Sequence, residues 1–440
     1  MQDARRDGFI LLLLGALAFL SFGFCLERFS PIHMVDFGVV YFPTRCLLQH
    51  GDPYNPNDVL PVFEAQQGDR IWDRLQPRRC MTCLGYPPSA FPVLALFAML
   101  PWNPAHLLWM VLVAGSVLFS ACLTWSLCAD RAPVLAGALI GFFLANCQAV
   151  VVVGNVAGIT VGLCVIAAWC FLRDRYVLAG VVSLALSLAL KPHIAWIVWL
   201  YFLLAGGVYR KRALQTFGIT VLLCLTAVLW VRWAAPNWYS EMRANQTWLF
   251  SPGGQFDPGL KSGESHGLDM LVNLQTIVSV FRDDPRIYQP VAYGVGALLL
   301  LIWAIVAIRS HGAPGRAWMA LASASALSML PFYHHIHDAK LILLAVPACV
   351  QLWAEGRQIG RVAVAVTAIA FFCTGDLVWT FALIALQHWP AASGWFGSHL
   401  FVALQVFPAP LAILVLGVFY LWVFASLPQD RALRMEQEGR

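Results

Sequence analysis

"PPSAFPVLALFAMLP", residues 87–101, decides how this chain is threaded. The stretch is apolar, but it opens on Pro87 and Pro88, holds Pro92 inside and closes on Pro101. Apolar segments of about 10–14 residues are more often re-entrant or interfacial than spanning, and an internal proline removes a helix hydrogen bond. If this one stays on a single side, the remaining apolar runs of about 17–25 residues give about twelve crossings. They fall near 8–26, 104–128, 133–152, 155–172, 176–190, 193–208, 213–234, 290–308, 316–332, 338–353, 360–387 and 400–425.

Composition supports that reading. Of 440 residues, 60% are hydrophobic and 12% charged, with a mean hydropathy of +0.71, which excludes a soluble globular domain. The first run, "GFILLLLGALAFLSFGFCL" (Gly8 to Leu26), follows "ARRD" and lacks a small-x-small cleavage site, so it reads as a retained signal-anchor. Arginines mark the short connections at 4–6, 130–132, 173–175, 209–212, 309–316, 355–361 and 431–434. By the positive-inside rule these lie in the cytoplasm with both termini, in a plasma or inner membrane, and they account for the net charge of +5. The expected fold is therefore all-α: one polytopic membrane domain over 1–440, with a re-entrant or interfacial segment. Two large loops, 27–103 and 235–289, share the non-cytoplasmic face. They hold most of the acidic and the Gly/Pro-rich sequence, and chemistry is expected there.

Ionisable residues at the membrane edge stand out, because each is costly unless solvated, paired or used. Asp36 follows the first span directly, with Arg45 and the turn "GDPYNP" behind it. It reads either as a helix cap or as a catalytic carboxylate. Asp52, between Gly51 and Pro53, reads as turn chemistry. The chain has four lysines, Lys191, Lys211, Lys261 and Lys340. Lys211 obeys the positive-inside rule and Lys261 lies in a large loop. Lys191 in "LALKPHIAW" and Lys340 in "YHHIHDAKL" sit at outer edges, as snorkelling anchors or as a pair of cations for an anion. Pro192 opens the next helix, so unpaired backbone N–H groups lie beside Lys191. "YHHIHDAK" gathers His334, His335, His337, Asp338 and Lys340. Three readings compete: a metal site, since histidine and aspartate are ligand types although the spacing matches no specific pattern; histidines solvated at a helix start; and a phosphate or sugar contact. Asp376, in "CTGDLVW", is an acidic residue within a span to which the sequence assigns no role.

Four stretches in order along the chain carry a family resemblance: "DFGVVYFPTRCLLQHGDPYNP" (36–56), "YPPSAFPVLALFAMLP" (86–101), the run from "VVVGNVAGITVG" through "LALKPHIAW" to "YRKRA" (151–213), and "LSMLPFYHHIHDAKLILLAVPA" (327–348). Together they resemble the polyprenyl-phosphate-dependent glycosyltransferases of the GT-C fold, nearest to the family 87 group of bacterial mannosyltransferases. The resemblance implies transfer of a sugar, mannose by analogy, from a polyprenyl-phosphate donor to a lipid- or glycan-linked acceptor, with inversion at C1. It implies no metal and no other cofactor. It makes Asp36 the general base and gives the donor phosphate to Lys191, His334, His335 and Lys340, with Arg45, Tyr86, Asn155, His193 and His337 as further substrate contacts. Asn155 and Ala157 stand where the family's turn has Gln and Asn. The second large loop has no clear family counterpart, so the acceptor does not carry over.

Competing classes are a transporter or lipid flippase, which would place ionisable residues at mid-membrane and often repeat its spans, and a non-catalytic subunit on the same fold. No Walker, Rossmann or nucleic-acid motif is present, so neither a nucleotide-sugar cradle nor a nucleic-acid partner is expected. Most of the twelve cysteines fall in apolar spans as small hydrophobes. Cys80 and Cys83 form an outer CxxC that reads as a local disulfide in preference to free thiols, and no second CxxC completes a zinc site. "NQT" (245–247) is a glycosylation sequon on the outer side. Trp238, Tyr239 and Trp248 offer rings for packing or for stacking on a sugar.

Overall fold

The computed structural model describes residues 2–30, 34–67, 85–259 except 253 and 255, 271–310, 314–376, 399, 403 and 408–426. Cys80, Cys83, Lys261 and, apart from 403, the parts of the last two expected spans between 377 and 407 lie outside the described residues. Within them the chain is helical, and its one β feature is an isolated antiparallel bridge, Leu271 with His335.

The first half runs through α1 (Gln2–Phe29), α2 (Val35–Leu48), α3 (Pro56–Gln67), a single 3-10 turn Pro88–Ala90, α4 (Phe91–Ala98), α5 (Trp102–Cys128), α6 (Pro133–Leu144), α7 (Gln148–Val152), α8 (Ala157–Leu172), α9 (Val177–Leu190) and α10 (Pro192–Ala205). The second half continues with α11 (Gly207–Ala234), α12 (Trp238–Leu249), α13 (Leu274–Phe281), α14 (Pro285–Arg309), α15 (Pro314–Leu327), a 3-10 stretch Asp338–Leu344, α16 (Ala345–Ala354), α17 (Gln358–Cys373) and α18 (Pro408–Ser426). Five of these, α1, α5, α11, α14 and α18, are long and apolar enough to cross a membrane. Shorter apolar helices, including α6, α8, α9, α10 and α17, fill the space among them. On α11 and α14 the exposed residues include Leu222, Leu225, Leu229, Leu298, Leu301 and Ile305. An outward face of that kind suits lipid rather than water.

The proline-rich stretch that opened the sequence forms the 3-10 turn and α4. Its three and eight residues rise roughly 18 Å, well short of a hydrocarbon core of about 30 Å. Pro88 and Pro92 both lie in first turns, where a missing N–H costs nothing. Arg45 fixes the far end of the segment: its Nη1 donates to the carbonyls of Ala98 (2.9 Å) and Leu100 (2.8 Å), beside the Tyr41 hydroxyl.

Several expected spans are not single helices. The run 133–152 breaks after Leu144 and resumes at Gln148, because the Asn146 carbonyl turns away from the helix to accept from Lys340 Nζ at 2.9 Å. The run 316–332 ends as a helix at Leu327, and 338–353 begins as 3-10 before α16. The irregular backbone between them is satisfied from the second large loop: Val272 N–H donates to the His334 carbonyl (3.0 Å) and Leu274 N–H to that of Leu330 (2.9 Å). Irregular backbone buried among apolar helices persists only where protein supplies the missing partners.

Candidate active site

The start of α2 is welded to the end of α7. Met34 takes a left-handed conformation (φ 53°), and its N–H donates to the Val152 carbonyl at 2.7 Å. Asp36 N–H then reaches the Val153 carbonyl at 2.9 Å. Those N–H groups belong to the first turn, which has no intrahelical acceptor, so α7 supplies what a cap would. Met34, with no side-chain cap hydrogen bond, occupies the N-cap position. Asp36 lies inside the first turn, where the helix dipole favours a carboxylate.

The turn after α7 delivers the partner of that carboxylate. Gly154 has φ +66°, and a Cβ there would come within 2.4 Å of the Met34 sulfur, so only glycine lets the two segments close. Its carbonyl is held by Trp109 Nε1 at 2.8 Å. The next residue, Asn155, is buried, and its amide works at both ends. Nδ2 donates to Asp36 Oδ2 at 2.5 Å, while Oδ1 accepts from Lys191 Nζ at 3.1 Å and from Ala157 N–H at 2.8 Å. The amide orientation follows, since the carboxylate must receive N–H and the ammonium must meet an oxygen.

Lys191 sits between α9 and α10, with Pro192 opening the second helix. Its buried ammonium makes a second bond, to Asp338 Oδ1 at 2.9 Å, and stands 5.9 Å from the centre of the Tyr86 ring. Burial pushes the Tyr86 phenol up to about 12 against the pull of Lys191, so it stays a hydrogen-bond donor at neutral pH. The main chain of Tyr86 is braced from below. Tyr54 Oη donates to its carbonyl at 2.9 Å, and the Tyr54 carbonyl in turn accepts from Asn245 Nδ2 at 2.8 Å.

Asp338 is the hub of the opposite side. Its Oδ2 lies 3.3 Å from His334 Nδ1 and 3.5 Å from His193 Nε2, and it accepts the His335 backbone N–H at 3.1 Å. One ligand-type atom from each of His193, His334 and Asp338 falls within 4.8 Å of the other two. Burial lowers His334 below the ordinary imidazole range and so favours a neutral ring, while the hydrogen bond to the Asp338 carboxylate pulls the other way. His337 is buried too and stacks on His335 with ring centres 5.3 Å apart.

Asp36, Asn155, Lys191, His193, His334, His335 and Tyr86 are thus brought together. Two sequence candidates are placed elsewhere. Arg45 clamps the end of α4, as described above. Lys340 donates to Asp376 Oδ1 (3.0 Å) and to the carbonyls of Asn146 (2.9 Å) and Thr374 (2.7 Å). An ammonium has three N–H donors, so this buried lysine keeps none for a donor phosphate. The same contact explains Asp376, whose second oxygen accepts the Ala149 N–H at 2.9 Å. Asp52 forms the expected turn, its Oδ1 accepting from Tyr54 N–H at 2.9 Å. Asn245 corrects the sequon reading, since its amide is buried on Tyr54 and is no glycan acceptor in the folded chain. Trp238 packs near Tyr54 and Tyr239. The residue that sequence reasoning undervalued is Asp338. Its signal was the (i, i+4) pair of His334 and Asp338, the spacing that brings two side chains to one side of a helical turn.

A family model described as glycosyltransferase family 87 matches residues 84–333, over half of the chain. No curated protein and no solved structure matches it. The matched stretch holds Tyr86, Asn155, Lys191 and His193, while Asp36 and Asp338 reach the same cluster from either side of it. On that match the chain belongs to glycosyltransferase family 87, as a membrane-embedded enzyme that moves a sugar from a donor to an acceptor.

Proposed function

We propose that the protein transfers a sugar, mannose foremost, from a polyprenyl-phosphate donor to a hydroxyl of a lipid- or glycan-linked acceptor, inverting C1. The acceptor oxygen attacks C1 and Asp36 takes its proton. The bond from C1 to the phosphate oxygen breaks with its electron pair going to the phosphate, whose charge Lys191 offsets. The observation that carries this reading is the Asn155 bridge, which holds a carboxylate and an ammonium at the two ends of one amide. Lys191 donates to Asn155 and Asp338 and also stands beside the Tyr86 phenol, a neutral partner whose place a phosphate oxygen would take as the third acceptor. A lipid-linked donor suits a site built at helix ends in a membrane protein that carries no nucleotide-binding motif. In the same reading the chain crosses about twelve times, both termini are cytoplasmic, and the site opens on the periplasmic or extracellular side.

The test is transfer from polyprenyl-phosphate-mannose in membranes carrying wild type, Asp36→Asn or Lys191→Gln. Asp36→Asn keeps the side chain's size but cannot take a proton, so turnover falls about 10²–10⁴-fold with normal expression. Lys191→Gln weakens donor binding. Wild-type turnover in the Asp36→Asn protein would remove Asp36 from the chemistry.

A further inference from the structure

We propose that His193, His334 and Asp338 form a site for a divalent transition metal of the zinc class, which shares the donor phosphate with Lys191. The second half of this statement rests on the donor reading above. Nothing in the order of these residues along the chain suggests a site, because His193 comes from the start of α10 and the other two from the bend before α16. The geometry does. Four-coordinate zinc with bonds of about 2.0–2.1 Å sets neighbouring ligand atoms about 3.3 Å apart. Asp338 Oδ2 lies 3.3 Å from His334 Nδ1 and 3.5 Å from His193 Nε2. The third edge is within 4.8 Å, and His193, the one ligand with an open side (36% exposed), can close it.

Hydrogen bonding alone explains the cluster less well. His193 Nε2 is a buried atom with no well-formed hydrogen bond, and the 3.3 Å from His334 Nδ1 to the carboxylate is long for a bond to an anion. Two imidazoles and one carboxylate suit zinc better than magnesium or calcium, which prefer oxygen ligands. Three protein ligands also leave a fourth position open. Lys191 does not compete for the ligand atom, because it holds Oδ1, while Oδ2 faces both rings and accepts the His335 backbone N–H, which leaves a carboxylate oxygen a second lone pair for an ion. An ion beside Lys191 would outweigh the single charge of Asp338, and that surplus calls for an anion. A phosphate at the open position supplies it.

The experiment uses the full chain purified in detergent without chelator. Metal content is measured by mass spectrometry after gel filtration, and cobalt binding by its visible spectrum. His193→Ala is the main variant because His193 is half-exposed, and His50→Ala is the control. About one zinc per wild-type chain is expected. Affinity should fall at least about 100-fold in His193→Ala and stay unchanged in His50→Ala. Stripping the metal should weaken binding of sugar-free polyprenyl phosphate roughly 30-fold or more. Wild type that retains no metal, His193→Ala that retains as much as wild type, or polyprenyl phosphate that binds equally with and without zinc overturns the proposal. Retained zinc with metal-dependent phosphate binding, but no sugar moved onto any acceptor, would instead sink the transferase reading and leave the metal site standing.

Discussion

Asn155 is the residue on which the site turns, because one small amide fixes a carboxylate and an ammonium relative to each other. A hydrogen bond to a charged group contributes about 1.5–3 kcal/mol, so Asn155→Ala should lower turnover about 10–100-fold through misplacement of Asp36 and Lys191. Asn155 is a positioning residue, and the readout that distinguishes it from a merely structural one is a kcat loss at saturating donor with thermal stability retained. Unchanged kcat would mean that Asp36 is held well enough by the backbone contacts of α2 with α7. That Asp36 lies at the mouth of the first span could be read directly. That its partner is Asn155 could not, since the two are joined only when the turn after α7 closes on α2.

At the scale of elements, glycines set how closely α1 approaches α6. A Cβ at Gly137 would lie 1.9 Å from the Gly8 carbonyl oxygen, and one at Gly15 would lie 2.3 Å from the Gly141 backbone. The two helices therefore touch backbone to backbone, as small residues permit between membrane helices. Gly137→Leu should force them apart at a cost of about 1–3 kcal/mol or more, seen as a lower unfolding temperature and faster proteolysis of α1. The broken α6–α7 unit is pinned to the end of α17 by Lys340 and Asp376. Lys340→Met alone removes the counter-charge of the buried Asp376 carboxylate, a loss of about 3–5 kcal/mol. Adding Asp376→Leu should recover most of that stability. A double variant no more stable than Lys340→Met would show that the carbonyl contacts, not the charge pair, hold the junction.

For the whole molecule the decisive issue is sidedness. Single cysteines at Gln49, Asn103 and Lys211 in a cysteine-depleted chain should divide cleanly under a membrane-impermeant reagent. Gln49 and Asn103 should react from outside intact cells, and Lys211 only after permeabilisation, as the arginine pattern requires. Reaction of Asn103 from the cytoplasm would mean that 87–101 crosses and that the count of about twelve is wrong. The short rise of α4 and its attachment to Arg45 favour the first outcome.

Composition alone settles the solvent. Apolar runs of membrane length and arginine-bearing connections announce a polytopic helical protein, because transfer of side chains into hydrocarbon depends on composition and not on partners. The sequence also marked Asp36, Lys191 and the "HHIHD" edge, since a charge at a membrane boundary is conspicuous wherever its partner lies. Which charges meet depends on how distant segments pack. Lys191 and Lys340 look alike in sequence, yet one joins Asn155 and Asp338 while the other spends every N–H on Asp376 and two carbonyls. The tertiary structure also decided where helices stop, at Leu144 and Leu327, because buried backbone groups there found partners in distant segments. Hydrogen bonds and ion pairs act over a few ångström between groups far apart in the chain, and no local pattern records them.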